Sequence, residues 1–131
     1  MSINFERALG IHPQALVLRE KRGEILATNL ANADTPDYKA RDLDFKAVLQ
    51  NSLSSSSTHL QRTQARHLSA SNAMLGGDLL YRNPTQPSLD GNTVEEHVEQ
   101  AKYAQNAVQY QASLEFINSK FSGLMTAIRG E

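Results

Sequence analysis

The sequence predicts a mainly α-helical protein. A long N-terminal and a long C-terminal helix pair as an axial helical hairpin or coiled coil, joined by an irregular middle segment with room for short β-structure. Three observations predict this. A broad apolar helical face runs between Pro13 and Ala33, and an apolar seam stepping by four and three residues runs from Tyr103 to Ile128. The stretch between them is broken by Ser, Gly and Pro. The chain then divides into residues 1–45 (first helix and a turn), 46–92 (irregular) and 93–131 (last helix), with both ends forming one axial unit.

Pro13 suits the first turn of a helix, where its missing N–H costs nothing. From there Ala15, Leu16, Leu18, Ile25, Leu26, Ala27, Leu30 and Ala33 share one face, with Glu20, Lys21, Glu24 and Thr28 opposite. Arg19 and Arg22 interrupt the apolar face. Each either lies along the helix with its head in water or pairs with a carboxylate of a neighbouring subunit. The helix is expected to stop near Asp34-Thr35-Pro36, because Pro36 disfavours helical backbone at Thr35. Tyr38 to Phe45 reads as extended or turning.

In the middle, Leu49 to Leu53 reads as the end of a short helix and Thr63 to Leu68 as a weak strand. Ser54 to Ser57 is low in complexity, and Gly76-Gly77 and Asn83-Pro84-Thr85-Gln86-Pro87 are breakers. Asp90-Gly91-Asn92 is a turn, and Thr93 with Glu96 has the spacing of a capping box that opens the last helix.

That helix, about 35 residues, spans roughly 50 Å, too long for a compact domain of this size. Tyr103, Ala107, Tyr110, Leu114, Ile117, Phe121, Leu124 and Ile128 form an uninterrupted a/d seam. Between Tyr103 and Ile128 only Glu115 and Lys120 are charged; the other off-seam positions are mostly Gln, Ser, Asn and Thr. A solvated face is usually rich in Glu and Lys, whereas an uncharged polar face loses less on desolvation. The helix is therefore expected to be contacted on more than one face, as in a helical tube of subunits. Contacts of that kind that do not close on themselves generate open filaments.

Composition narrows the function. The chain has 131 residues, 40% hydrophobic and 6% aromatic, with no Trp and a net charge of -1. No basic field exists for nucleic acid or an anionic membrane. Cys is absent, which excludes disulfides and thiolate metal sites. Residues 1–18 lack the apolar core of a secretory signal, and no stretch approaches the ~18 apolar residues of a membrane span. His12, His59, His67 and His97 show no metal-ligand spacing. Asp42 and Asp44 read as surface charges beside Lys39 and Arg41. The serine run lacks the glycines of a nucleophile elbow. No small-molecule substrate, cofactor, metal or enzymatic activity is expected.

Leu26-Ala27-Thr28-Asn29-Leu30-Ala31-Asn32-Ala33-Asp34-Thr35-Pro36-Asp37-Tyr38-Lys39 resembles the N-terminal signature of flagellar rod and hook axial proteins. Ala40 to Phe45 and Gln86 to Val94 are similar to the proximal-rod members of the flagellar basal-body rod protein family. The resemblance covers both ends and the segment before the last helix, but not the serine-rich stretch. One residue departs from the pattern: the family carries Gly after the Pro, and here it is Asp37. Gly supplies positive φ readily and Asp does so less readily, so the turn is expected either to be kept with slight strain or to be of a different type.

The resemblance implies a structural subunit of the bacterial flagellar rod, part of the drive shaft and export channel, in the periplasmic space. It implies export through the flagellar type III gate without a cleaved signal. The implied partners are other rod subunits, copies of itself, the rod-base adaptor protein and the membrane-embedded ring. Leu18, Ile25 and Leu30 of the first helix and the eight seam residues would form the axial packing. Asn29, Asn32, Asp34, Thr35, Pro36 and Tyr38 would form the signature turn, as ordinary local caps or as the device that sets the angle at which the chain leaves the axis. Phe5 and Leu9 form a Phe-x-x-x-apolar pattern that either engages the export gate or anchors the chain. The rival class is a soluble coiled-coil adaptor or secretion chaperone, which would form a fixed small oligomer.

Overall fold

The computed structural model describes residues 8–54 and 79–130. Phe5, the expected strand at 63–68, Gly76-Gly77, His59 and His67 lie outside them. A turn at Gly10, where φ is +60°, leads into helix α1, His12–Ala31, with Pro13 in its first turn as expected. Strand β1, Arg41–Leu43, is followed by helix α2, Phe45–Ser54. Strand β2, Leu79–Tyr81, precedes helix α3, Glu96–Arg129. At 34 residues, α3 extends roughly 50 Å.

The two long helices pack together as an antiparallel hairpin. Asn29 meets Glu99 near one end. A Cβ placed on Gly23 would lie 3.3 Å from the Asn106 side chain midway. His12 and Phe116 stack with ring centroids 5.7 Å apart near the other end. The absence of a side chain at Gly23 is what lets the helices come this close around Asn106.

The apolar core lies on the other flank of α1. Leu18, Leu43 and Val48 are buried, with Ile25, Phe45 and Leu49 packed against them. Leu18 is fully buried within its own chain, where it packs in the internal core. The helix periodicity placed it on the apolar face; the fold decides that β1 and α2 cover that face. Asp44 is exposed, as expected of a surface charge. Its side chain accepts from the Ala47 N–H at 3.0 Å and caps α2.

β1 and β2 pair antiparallel with Arg41 opposite Tyr81, Asp42 opposite Leu80 and Leu43 opposite Leu79. This ribbon draws residues 79–82, expected with the irregular middle, onto the axial unit. The anticipated capping box does not form. The Thr93 hydroxyl accepts from the Ala40 N–H at 2.7 Å, and Glu96 accepts from the Gln100 side chain. The tertiary bond to Ala40 removes Thr93 from the helix end, and α3 starts after Glu95 without a side-chain cap. At its other end Gly130, with φ +75°, closes α3 by donating to the Thr126 carbonyl.

Candidate assembly interface

Two features stand out on this hairpin: a polar latch that fixes the pairing of the helices, and an apolar stripe on α3 that the chain leaves open.

The latch is built where the two segments of the sequence signature meet. Asn29 is fully buried. Its Oδ1 accepts from the Arg41 N–H at 3.0 Å and from the Tyr38 hydroxyl at 3.4 Å. Its Nδ2 donates to the Arg41 carbonyl at 2.6 Å and to Glu99 Oε2 at 3.1 Å. Asn29 therefore acts as a surrogate backbone unit that holds the start of β1 on α1. Asn92 does the corresponding work from the far side of the chain. Its Nδ2 lies 3.0, 2.6 and 3.0 Å from the carbonyls of Asn32, Ala33 and Thr35, which the end of α1 leaves without helical partners. Its Oδ1 accepts from the Val94 N–H at 2.8 Å. Asn32 behaves as a local cap, donating to the Thr28 carbonyl and accepting from the Thr35 hydroxyl. Asp34, Thr35 and Pro36 are exposed.

Asp37 keeps the left-handed backbone that Gly would supply, with φ +60°. Its N–H donates to the Asp90 carbonyl at 2.9 Å, and the Thr93 N–H donates to Tyr38 at 3.0 Å. The opposing Gly91 also takes the left-handed region, at φ +74°, which Gly adopts most readily; a Cβ there would displace only the movable tip of the Asp37 side chain.

Beneath these turns sits a charged network. Arg22 grips Asp42 bidentately, Nε to Oδ1 at 2.9 Å and Nη2 to Oδ2 at 3.0 Å. Arg82 donates to Asp42 Oδ2 at 2.6 Å and to Glu99, which is 1% exposed. Asp42 also accepts from the Leu43 N–H. Two guanidinium and two carboxylate groups thus join α1, β1, the end of β2 and α3 in one neutral cluster. Burial alone would raise the Asp42 pKa, but the hydrogen bonds from Arg22, Leu43 and Arg82 outweigh it and hold the carboxyl below its ordinary value. The bond to Asp42 raises Arg22. Burial, then the nearby Arg82, lowers Lys102, which flanks the cluster.

Arg22 therefore finds its acid inside its own chain, because the turn after α1 returns β1 across the helix and sets Asp42 over it. Arg19 is also held internally: it donates to Gln109 and its guanidinium lies 4.3 Å from the centre of the Phe45 ring. Arg22 is accounted for by Asp42 of its own chain, whereas Arg19 Nε is buried with no hydrogen-bond partner among the described residues.

The face that α3 turns to α1 is not the apolar seam. Glu99, Asn106 and Ser113 are its buried residues, seven apart, on one flank of the seam. Asn106 donates to the Arg19 carbonyl at 2.9 Å. Tyr110, Ile117 and Leu124, one register of the seam, lie beside this polar strip and are half-buried. Leu114, Phe121 and Ile128 of the other register are exposed by 37, 44 and 73%, and Ala107 is exposed with them. Tyr103 is 46% exposed at the latch end, and Phe116, Val108 and Met125 are exposed elsewhere on the helix. Of the remaining expected contacts, Ile25 packs on the internal core, while Leu30 and Leu9 are half-buried.

Sequence reasoning missed Asp42, Arg82, Asn92, Glu99 and Asn106. The seven-residue recurrence of Glu99, Asn106 and Ser113 was a legible signal, since a polar residue at a repeating heptad position often fixes register. For Arg82 with Asp42 no spacing exists to read.

No protein-family model matches the chain. It is 54% identical over 127 residues to flagellar basal body rod protein FlgB of Cereibacter sphaeroides, covering 97% of this chain and 98% of the relative. The identity to FlgB of Aeromonas hydrophila is 46%, over 100% of this chain and 99% of that protein. To FlgB of Salmonella typhimurium it is 41%, over 95% of each.

Proposed function

The chain belongs to the FlgB family of flagellar basal body rod proteins, and from that premise we propose that it is a structural subunit of the proximal rod that polymerises through its two terminal helices. The observation that carries the reading is near-full-length identity of 54% to a named rod protein. The exposed register of the α3 seam supports the mode of assembly: a 34-residue helix leaves Leu114, Phe121 and Ile128 open to solvent, a stripe whose burial would favour association.

The role is mechanical. The hairpin transmits torque as part of the drive shaft and lines the export channel. Its partners are copies of itself, other rod subunits, the rod-base adaptor protein and the membrane-embedded ring. It reaches the periplasmic space through the flagellar type III export gate without a cleaved signal, with Phe5 and Leu9 contacting the gate. Residues 1–45 and 93–131 act as the axial unit. The latch at Asn29, Asn32 and Asn92 sets the direction in which the 46–92 segment leaves it.

The test is deletion and complementation. A strain lacking this protein should be non-motile, with basal bodies that end at the membrane-embedded ring. Expression of the chain should restore the rod, and immunogold labelling should fall on its proximal part. Complete rods in the deletion strain would refute the reading.

A further inference from the structure

Arg19, Arg22 and Arg82 are the half-buried arginines among the described residues. Two of them meet carboxylates inside the chain. Arg22 grips Asp42, and Arg82 joins Asp42 to Glu99. Arg19 makes no ion pair among the described residues. Its guanidinium donates to the neutral Gln109 and lies 4.3 Å from the centre of the Phe45 ring. Its Nε is buried with no hydrogen-bond partner among the described residues. Neither contact neutralises the cation.

The chain's own acids are placed elsewhere. Glu20 and Glu24 follow Arg19 on α1 but lie about 100° and 140° round the helix from it. Asp42 is already shared by Arg22 and Arg82, and Asp44 accepts from the Ala47 N–H at the start of α2. On α3, Glu115 lies about 120° round the helix from Gln109, whereas Lys120, about three turns on, lies on nearly the same side. Burial, then the like charge of Arg22, lowers the Arg19 pKa. Arg19 is thus a cation that the fold partly desolvates without compensating, an arrangement that stays unfavourable until a carboxylate reaches it.

We infer that Arg19 receives a carboxylate side chain from a neighbouring subunit, which gives Arg19 the pairing that Asp42 gives Arg22. The inference rests on the rod-subunit reading above and identifies a residue by which the chain selects its neighbour. Arg19 is half-buried and not sealed, so a side chain from outside the chain can reach it. The selection is physical. A neighbour with an acid at this point neutralises the guanidinium, and a neighbour without one buries it further and leaves it unpaired. A neighbour with Lys or Arg there adds a third cation beside Arg19 and Arg22. The acid belongs to a second copy of this chain or to another rod subunit. The chemistry is the same in both cases, and the test separates them.

Arg19→Met removes the charge and keeps an unbranched stem over the Phe45 ring. The isolated variant should unfold at the same urea midpoint as the natural chain or a higher one, because a desolvated, uncompensated cation is gone. In a strain lacking the natural chain, Arg19→Met should be made and exported at the natural level yet give few or no rods by electron microscopy, and Arg19→Lys should restore part of them. Arg19→Glu should abolish rods. Motile revertants selected from it should carry an acidic residue changed to Lys or Arg, in this chain if the neighbour is a second copy and in another rod subunit if it is not. Complete rods built with Arg19→Met would overturn the inference. So would a lowered urea midpoint for that variant, which would make Arg19 an internal packing residue, and so would revertants that alter no acidic residue. Failure of the natural chain to restore rods in the same strain would instead remove the rod reading itself.

Discussion

Replacing Asp42 with Ala should cost the isolated hairpin about 2–3 kcal/mol. Asp42 is gripped bidentately by Arg22 and again by Arg82. Removing one partner of a buried ion pair typically costs ~3–5 kcal/mol, because the charge left behind is no longer compensated. Here the side chains are 18–23% exposed, so water reaches the abandoned guanidinium groups and the lower figure applies. Glu99 remains to pair with Arg82, which limits the loss further. Against a marginal total of ~5–15 kcal/mol this is a large fraction. Urea unfolding followed by circular dichroism should show a lower midpoint at unchanged slope. The pH dependence supplies a second reading. The folded Asp42 pKa lies below its ordinary value, so its contribution is complete above that ordinary value and is lost as the pH falls through the depressed one. The stability gap between the natural chain and Asp42→Asn should thus be constant from neutral pH to about pH 4 and close in stronger acid. A gap below ~0.5 kcal/mol, within the range of ordinary surface substitutions, or one that widens in acid, would refute the network as a source of stability.

Three further outcomes are expected. Phe121→Asp should leave the monomer's unfolding midpoint unchanged, since the side chain is 44% exposed, yet prevent rod assembly through the cost of burying an unpaired charge; a motile strain carrying it would remove the seam from the assembly contact. Gly91→Ala should destabilise the hairpin by about 1–2 kcal/mol through its left-handed backbone, since the tip of Asp37 can move aside, and a neutral result by chemical denaturation would mean that Gly91 does not hold φ +74°. Phe5→Ala should lower the amount of subunit secreted while its cytoplasmic level holds; unchanged secretion with failed incorporation would make Phe5 an axial contact.

The sequence by itself determined the elements that depend on neighbours three or four residues apart. Pro13 opening α1, the stop before Pro36, the short helix ending near Leu53 and the long uninterrupted α3 follow from local hydrogen bonding and periodicity. So does the existence of an apolar seam from Tyr103 to Ile128. The signature segments were also legible, and with them the family. What the sequence left undecided is which face of α3 meets α1. Apolar periodicity pointed to the seam, but the hairpin closes on Glu99, Asn106 and Ser113. Glu99 gains Asn29 and Arg82, and Asn106 gains the Arg19 carbonyl, only when parts of the chain as much as 87 residues away arrive; Ser113 bonds the Gln109 carbonyl of its own helix. Such pairings leave no mark in local periodicity, because a charge or an amide is favourable in the interior only once its particular partner is in place. The tertiary structure therefore gives the polar strip to the chain itself and leaves half of the apolar seam exposed.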